Sequence, residues 1–479
     1  MRITRCGSRL TNEPGKAIHD VDPHIGAARR TAPNPGVPTM TVVIPIDRLE
    51  RRLPDAKPTY LPAEAVAEAN RCLYCHDAPC IQACPTGIDI PGFIQKIATG
   101  NVRGSARTIL SANLLGYSCA RVCPVEVLCV GACVYNDWHR TPIAIGRLQR
   151  YAVETAFRDG AADGLLPKAP ANGKKVACVG AGPASLACAG YLALEGLAVT
   201  LFERKPVPGG LNTTGVAPYK MHVDGALLEV DYIRSLGVRF EHGVDVDRQH
   251  AERLLRDYDA VFLGIGLGAD SRLGVPGEDG PGVMGATVWI ERMKLDPAFS
   301  VDGVGTALVI GGGNTAIDVA RELAKLGVPE VVMVYRRTAA EMPGYAHEMD
   351  QARREGVRLA ERAVPQEFVR DSAGRLSGLK LADGRELSAD LAVLGIGQAK
   401  LREVAAAFPG VSVDGAGRIV AEPLTGATGN PKVWAGGDAI SGGQEVVNAA
   451  QEGKRAARSI CATLGVAGRT AAPMMAGRA

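Results

Sequence analysis

Cys72-Leu-Tyr-Cys75-His-Asp-Ala-Pro-Cys80-Ile-Gln-Ala-Cys84-Pro85 opens a cysteine run that continues as Cys119-Ala-Arg-Val-Cys123-Pro124 and Cys129-Val-Gly-Ala-Cys133. The rest of the chain holds only Cys6, Cys178, Cys188 and Cys461. Buried free thiols do not account for such clustering. A disulfide framework belongs to short secreted chains, and this one has 479 residues and no secretory signal. Structural zinc pairs two short cysteine clips. Cys72 and Cys75 would serve as one, but the wider, irregular spacings that follow suit zinc poorly. Iron–sulfur clusters take closely spaced thiolates, often with a proline after one ligand, as at Cys84-Pro85 and Cys123-Pro124. Two [4Fe–4S] clusters are therefore expected. Spacing alone would include Cys119 among their ligands.

Outward from this block, length points to roughly three domains. Glycine is abundant, at 58 residues, and aromatics make up 5% of the chain, which suits glycine-rich nucleotide turns. A formal charge of +3 gives no electrostatic case for nucleic acid or an acidic membrane. No apolar run reaches the roughly 20 residues of a membrane span. A soluble cytoplasmic protein is expected.

Residues 1–56 carry no apolar periodicity and read as a poorly ordered tail, with Met40 a possible true start. Residues 57–165 read as a small helical cluster domain with its cysteines on the loops. Leu61–Ala69 would be a helix delivering Cys72, Ile90–Leu115 a helical stretch broken at Gly100 and Gly104, and Ile145 the start of another helix.

Lys175-Val-Ala-Cys-Val-Gly180-Ala-Gly182-Pro-Ala-Ser185 is a strand, a tight turn and a helix start. Gly180 permits the turn, Gly182 lets the backbone approach a pyrophosphate, and Ser185 is small enough to keep helix and strand close. Glu203 ends the next strand, where an acid binds a ribose hydroxyl. Gly209-Gly210-Leu211 suits a loop beside a flavin, Gly266 follows a further strand, and Gly437-Asp438 ends another before a helix carrying Asn448. Gly311-Gly-Gly313-Asn314-Thr315 repeats the turn, but its next strand ends in Arg336-Arg337 rather than an acid, which leans towards NADPH. Solvated surface charge is the plainer reading of those two arginines.

The expected architecture is α/β with an N-terminal α-helical iron–sulfur domain and two Rossmann-like domains. The FAD-binding one spans 172–285 and 390–465, the NAD(P)H-binding one, 286–389, is inserted in it, and 466–479 form a C-terminal tail. A nicotinamide releases two electrons as hydride, a cluster accepts one, and a flavin handles both, so it belongs between them. No protein acid or base is required for that transfer. No room remains for a barrel of roughly 250 residues, so the electrons are expected to leave for a partner.

From about residue 58 to 465 the chain resembles the family of the glutamate synthase small subunit and the N-terminal half of dihydropyrimidine dehydrogenase. Arg71–Cys80, Cys119–Pro124 and Ile145–Tyr151 look most like the PreT-type subunits of bacterial NAD-dependent dihydropyrimidine dehydrogenases. The resemblance implies crossed ligation: Cys72, Cys75, Cys80 and Cys133 for one cluster, and Cys84, Cys123, Cys129 and Gln149 for the other, with Cys119 a non-ligand beside it. It implies FAD contacts at Gly180, Gly182, Glu203, Gly210, Leu211, Lys220, Gly266, Asp438 and Asn448, and NAD(P)H contacts at Gly311, Gly313, Asn314, Thr315, Arg336 and Arg337. Lys220 stands where relatives often carry arginine. Tyr335-Arg336-Arg337 with Glu341-Met342-Pro343-Gly344 looks more like the NADPH-using glutamate synthase subunit, whereas Gln149 departs from the Glu usual there. The resemblance implies hetero-oligomeric assembly with an FMN- and iron–sulfur-containing catalytic subunit of the PreA type that reduces uracil and thymine. The other readings are a glutamate synthase small subunit, a stand-alone oxidoreductase serving a ferredoxin or dye, and a zinc-stabilised interaction module.

Overall fold

In the computed structural model, residues 44–160, 162 and 164–466 are described. Met40, and the expected tails apart from residues 44–56 and Val466, lie outside them. Among the described residues no helix is long and apolar enough to cross a membrane.

The cluster domain is built from helices Pro62–Ala69, Pro79–Gln82, Ile90–Ala98, Val102–Ala112, Gly116–Val122 and Ile145–Arg158. Proline at the first helical position sets the start of the Pro62 helix. Asp89 caps the Ile90 helix by accepting from the Gly92 N–H at 3.0 Å. Gly100, at φ 78°, ends that stretch as expected, but Gly104 does not break anything. It lies in the first turn of the Val102 helix, where Asn101 accepts its N–H at 2.8 Å. Phe93, Ile94, Ile97, Ile109 and Leu148 are fully buried between these helices.

Two five-stranded parallel sheets follow. Strands β1 (Lys175–Val179), β2 (Ala198–Glu203), β3 (Arg239–His242) and β4 (Ala260–Leu263) belong to the first; β5 (Val283–Gly285), β6 (Thr306–Ile310), β7 (Glu330–Val334) and β8 (Arg358–Ala360) to the second. Strands β9 (Pro365–Arg370), β10 (Leu376–Leu381) and β11 (Glu386–Ser388) form a small antiparallel sheet, before β12 (Leu391–Leu394) and β13 (Val433–Ala435). The sheet orders are β13-β4-β1-β2-β3 and β5-β12-β6-β7-β8. Central strands such as β4 and β12 are buried along their whole length, as parallel strands covered on both faces must be.

Three boundaries differ from expectation. β5 and β12 both pair in the second sheet, β12 between β5 and β6, so the chain enters the second domain by Val283 rather than at residue 286, and returns to the first not at residue 390 but after Leu394. A glycine-ended apolar strand is the same local pattern in both folds, and long-range pairing decides which sheet takes it. The expected tail also shortens. Leu49 and Leu53, four residues apart, are buried with Tyr219, Trp289 and Ile290 where the two nucleotide folds meet. Glu50, fully buried, accepts from Arg48 Nη2 at 2.6 Å and from the Val223 N–H at 3.2 Å. A segment this short shows no period, because its order comes from what it packs against.

Leu53→Ala should destabilise the protein by about 2–5 kcal/mol, the usual range for a buried leucine. Thermal unfolding monitored by circular dichroism checks this; an unchanged midpoint would place the segment outside the core.

Candidate cofactor cleft and cluster ligands

The cysteines sort into two groups. Cys72, Cys75, Cys80 and Cys133 line one cavity whose other walls are mainly apolar, among them Ile90, Ile94, Ile143 and Ile145. Tyr74, in the left-handed region at φ 50°, shapes the turn between Cys72 and Cys75, and its hydroxyl donates to the Ala69 carbonyl at 3.1 Å. Burial, and then the neighbouring Cys72 and Cys133, push the Cys80 thiol up to about 12. Burial is also the main cause that raises Cys72, with Cys75 and Cys133 adding to it.

The second group gathers Cys84, Cys123 and Cys129. A hydrogen bond with Cys119, burial, and the charges of Cys119, Cys129 and Cys84 raise Cys123. Burial, then Cys84 and Cys80, push Cys129 up to about 12. Thiols crowded in apolar surroundings resist ionising, and a bound metal centre reverses that balance. Among the described residues no three His, Cys, Asp or Glu side chains converge on a point that could hold one metal ion. The first group instead frames a space, which fits a polynuclear cluster whose irons each take their own thiolate.

Gln149 is 7% exposed, and its amide nitrogen donates to the Gly116 carbonyl at 2.7 Å, which leaves Oε1 as the atom available to a metal. Gly116 begins the helix that carries Cys119 and ends at Cys123. Cys119 is buried and accepts from Asn113 Nδ2 at 3.1 Å. It also hydrogen-bonds with Cys123.

The two nucleotide folds share a cleft of about 1280 Å³ with the cluster domain. Gly180 sits at φ 88°, and a Cβ there would stand 2.5 Å from the Gly264 carbonyl oxygen. A Cβ on Gly264 would strike Ser185 Oγ, so the small residue at 185 sets how closely helix Pro183–Leu194 approaches β4. Ser185 is fully buried and its Oγ has no hydrogen-bond partner in the protein. The second fold repeats this geometry: a Cβ on Gly311 would strike the Gly395 carbonyl, and one on Gly395 would stand 2.8 Å from Ala316 Cβ. Gly264 and Gly395 are thus structural partners of the turns. Their signal in the sequence was the glycine that closes each strand.

Of the residues expected to bind nucleotides, Gly180, Gly182, Glu203, Gly210, Leu211, Lys220, Gly266, Asn314, Thr315, Gly437 and Asp438 line the cleft. Gly210 presses on Gly182: a Cβ there would stand 2.7 Å from Gly182 Cα. Glu203 accepts from the Ala181 N–H at 2.7 Å and the Lys205 N–H at 2.8 Å. Asp438, its carboxyl pushed up by burial, accepts from the Gln444 N–H at 3.0 Å. The Gly437 N–H donates to Glu452 at 2.6 Å.

Ser185, Gly311, Gly313, Arg336, Arg337 and Asn448 are not among the lining residues. Arg336 and Arg337 stand exposed just beyond β7. Lys220 faces the cleft but pairs with Asp318 at 2.7 Å and Glu348 at 3.0 Å, so it ties the first fold to the second rather than presenting a free cation. Sequence reasoning overlooked Tyr345 and Glu445, which meet in the cleft at 2.9 Å. The Met342-Pro343-Gly344 turn just before Tyr345 was their nearest signal. It also did not anticipate that Cys123, from the cluster domain, lines this same cleft.

This constellation defines an FAD- and NAD(P)-dependent iron–sulfur oxidoreductase that transfers electrons. Residues 50–161 match the family model described as dihydropyrimidine dehydrogenase domain II, 4Fe-4S cluster, and residues 174–453 match that of pyridine nucleotide-disulphide oxidoreductase. The chain is 33% identical over 431 residues to the glutamate synthase [NADPH] small chain of Escherichia coli (strain K12), covering 83% of this chain and 91% of that one. It is equally 33% identical over 410 residues to the NAD-dependent dihydropyrimidine dehydrogenase subunit PreT of Escherichia coli O157:H7, covering 85% and 96%. It is also 33% identical over 445 residues to the putative oxidoreductase AegA of Escherichia coli (strain K12), covering 85% and 67%. The chain belongs to the pyridine nucleotide-disulphide oxidoreductase family, in the branch that carries this N-terminal 4Fe-4S domain.

Gly180→Ala should abolish FAD binding, because φ 88° and the Gly264 carbonyl both exclude a side chain. Gly311→Ala should retain FAD and lose nicotinamide nucleotide affinity. Flavin absorbance of the purified variants and calorimetric titration with NADPH separate the two; loss of FAD in Gly311→Ala would break the assignment of the two folds.

Proposed function

We propose that this chain is an electron-intake subunit in which NAD(P)H reduces FAD and electrons pass through two [4Fe–4S] clusters to an FMN-containing partner that reduces uracil and thymine to their 5,6-dihydro forms. The observation that carries this reading is that Cys123, a residue of the cluster domain, lines the same cleft as the glycine turn Gly180–Gly182, so the cluster block opens onto the nucleotide cleft. FAD, when bound, converts a two-electron hydride into single electrons.

The chain's own residues hold and orient. The N–H groups opening helix Pro183–Leu194 receive the FAD pyrophosphate, Glu203 takes a ribose hydroxyl, and Asp438 faces the ribityl chain. Asn314 and Thr315 open the corresponding helix for the nicotinamide cofactor. Cys84, Cys123, Cys129 and Gln149 hold the cluster nearer the flavin; Cys72, Cys75, Cys80 and Cys133 hold the farther one. No general acid or base is assigned. A thiol set that must stay reduced suits a cytoplasmic setting.

Gln149 and the surrounding cluster block favour the pyrimidine reading. The exposed pair Arg336-Arg337 beyond β7 favours the second one, an NADPH-dependent glutamate synthase small subunit.

Anaerobic isolation of the native complex, assayed for NAD(P)H oxidation on uracil and on glutamine with 2-oxoglutarate, decides between them. Turnover on uracil with an FMN-containing partner is the expected result, and turnover on the glutamine mixture alone would replace it. Arg336→Ala with Arg337→Ala should raise KM for NADPH by about 10- to 100-fold, the scale of one or two lost charge-assisted hydrogen bonds, and leave KM for NADH unchanged. Equal effects on both cofactors would remove the arginines from 2′-phosphate recognition. Gln149→Ala should alter the EPR spectrum of one cluster and leave flavin bound; an unaltered spectrum strikes it from the ligand set.

A further inference from the structure

Helix Val446–Thr463 starts at the cleft, where Val446 and Ala449 line the wall, and packs along helix Pro183–Leu194 beside the cluster domain. Two turns in, Lys454 is 7% exposed. Its Nζ donates to the Thr86 carbonyl at 3.2 Å and the Ala112 carbonyl at 2.7 Å, both in the cluster domain, and lies 5.7 Å from the centre of the Tyr191 ring. Thr86 in turn contacts Cys84: its Oγ1 is 3.3 Å from the Cys84 sulfur. Among the described residues no carboxylate lies within ion-pair distance of Lys454. Burial, and then the nearby Arg458, push its ammonium down to about 8, and Cys84 opposes that shift.

A lysine withdrawn from water is costly unless something anionic faces it. Carbonyl dipoles satisfy the hydrogens but supply no counter-charge. Thiolate-ligated iron–sulfur clusters do, and their charge becomes more negative by one on each reduction. Cluster potentials respond to nearby charge and hydrogen bonds. We propose that Lys454 is the counter-cation of the cluster held by Cys84, a positioning residue that favours the reduced form of the cluster nearer the flavin. The proposal rests on the ligand set given under the proposed function.

Redox titration of the full-length protein, followed by EPR, tests it in wild type, Lys454→Met, Lys454→Gln and Lys454→Arg, with iron and flavin quantified in each. Both neutral variants should lower the midpoint of one cluster, so that its oxidised-to-reduced ratio at fixed potential rises at least tenfold, about 59 mV for one electron. Lys454→Arg should stay near wild type, and the flavin and the other cluster should not move. Gln keeps a donor for the two carbonyls without the charge, so a Lys454→Gln protein with full iron and a wild-type midpoint overturns the proposal. If Lys454→Met alone loses iron, Lys454→Gln decides. Loss of the fold in both neutral variants, with Lys454→Arg intact, overturns it in favour of a structural role. A wild-type protein without iron fails the ligand set itself, which is a different outcome from an unmoved midpoint.

Discussion

Electron transfer between bound cofactors needs short separations, and one close helix contact links the cleft to the Cys84 loop. Gly453 of helix Val446–Thr463 meets the backbone of helix Pro183–Leu194 so closely that a Cβ would overlap the Ala184 carbonyl. Ala184 follows directly on the Gly182-Pro183 turn that lines the cleft. The same contact therefore brings the phosphate-binding end of one helix against the middle of another whose next residue, Lys454, reaches the Cys84 loop. Any residue larger than glycine at 453 would push these two helices apart.

The two nucleotide folds are held together as firmly. Lys294, fully buried on a helix of the second fold, donates to the Val216 and Met221 carbonyls of the first at 2.9 Å each, and burial pushes its ammonium down to about 8. Lys220 reaches the other way to Asp318 and Glu348. Leu49 and Leu53 fill the seam between them. On the cluster side, Glu229 of the first fold accepts the Tyr117 N–H at 2.9 Å and the Ser118 N–H at 3.2 Å at the start of the helix that ends at Cys123. Such ties fix the geometry of the cleft across three segments of chain.

What could be read from the sequence follows the range of the forces involved. The Gly180 and Gly311 turns were legible because their requirement is local: positive φ and no Cβ at one position, a small residue five places on. The cysteine groups were legible as a cluster domain because spacing within a loop constrains ligation, yet the division between Cys119 and Gln149 depends on how two helices pack. The sheet that takes β12, the order of residues 44–56 and the pairing of Lys220 were not legible. Each is settled by partners 80 or more residues away, as with Lys220 and Asp318, 98 positions apart. Arg336 and Arg337 were found at the strand end where an arginine can meet a 2′-phosphate, and they stand exposed there.

The proposed function requires flavin and two clusters in electronic contact. The most direct measurement is on the anaerobically purified full-length chain: iron, sulfide and flavin content, with EPR recorded before and after addition of NADPH or NADH. Two [4Fe–4S] equivalents of iron per FAD are expected, with a reduced-cluster signal that grows when the nicotinamide is added. Stoichiometric zinc without iron, or iron that stays oxidised while the flavin bleaches, would contradict it.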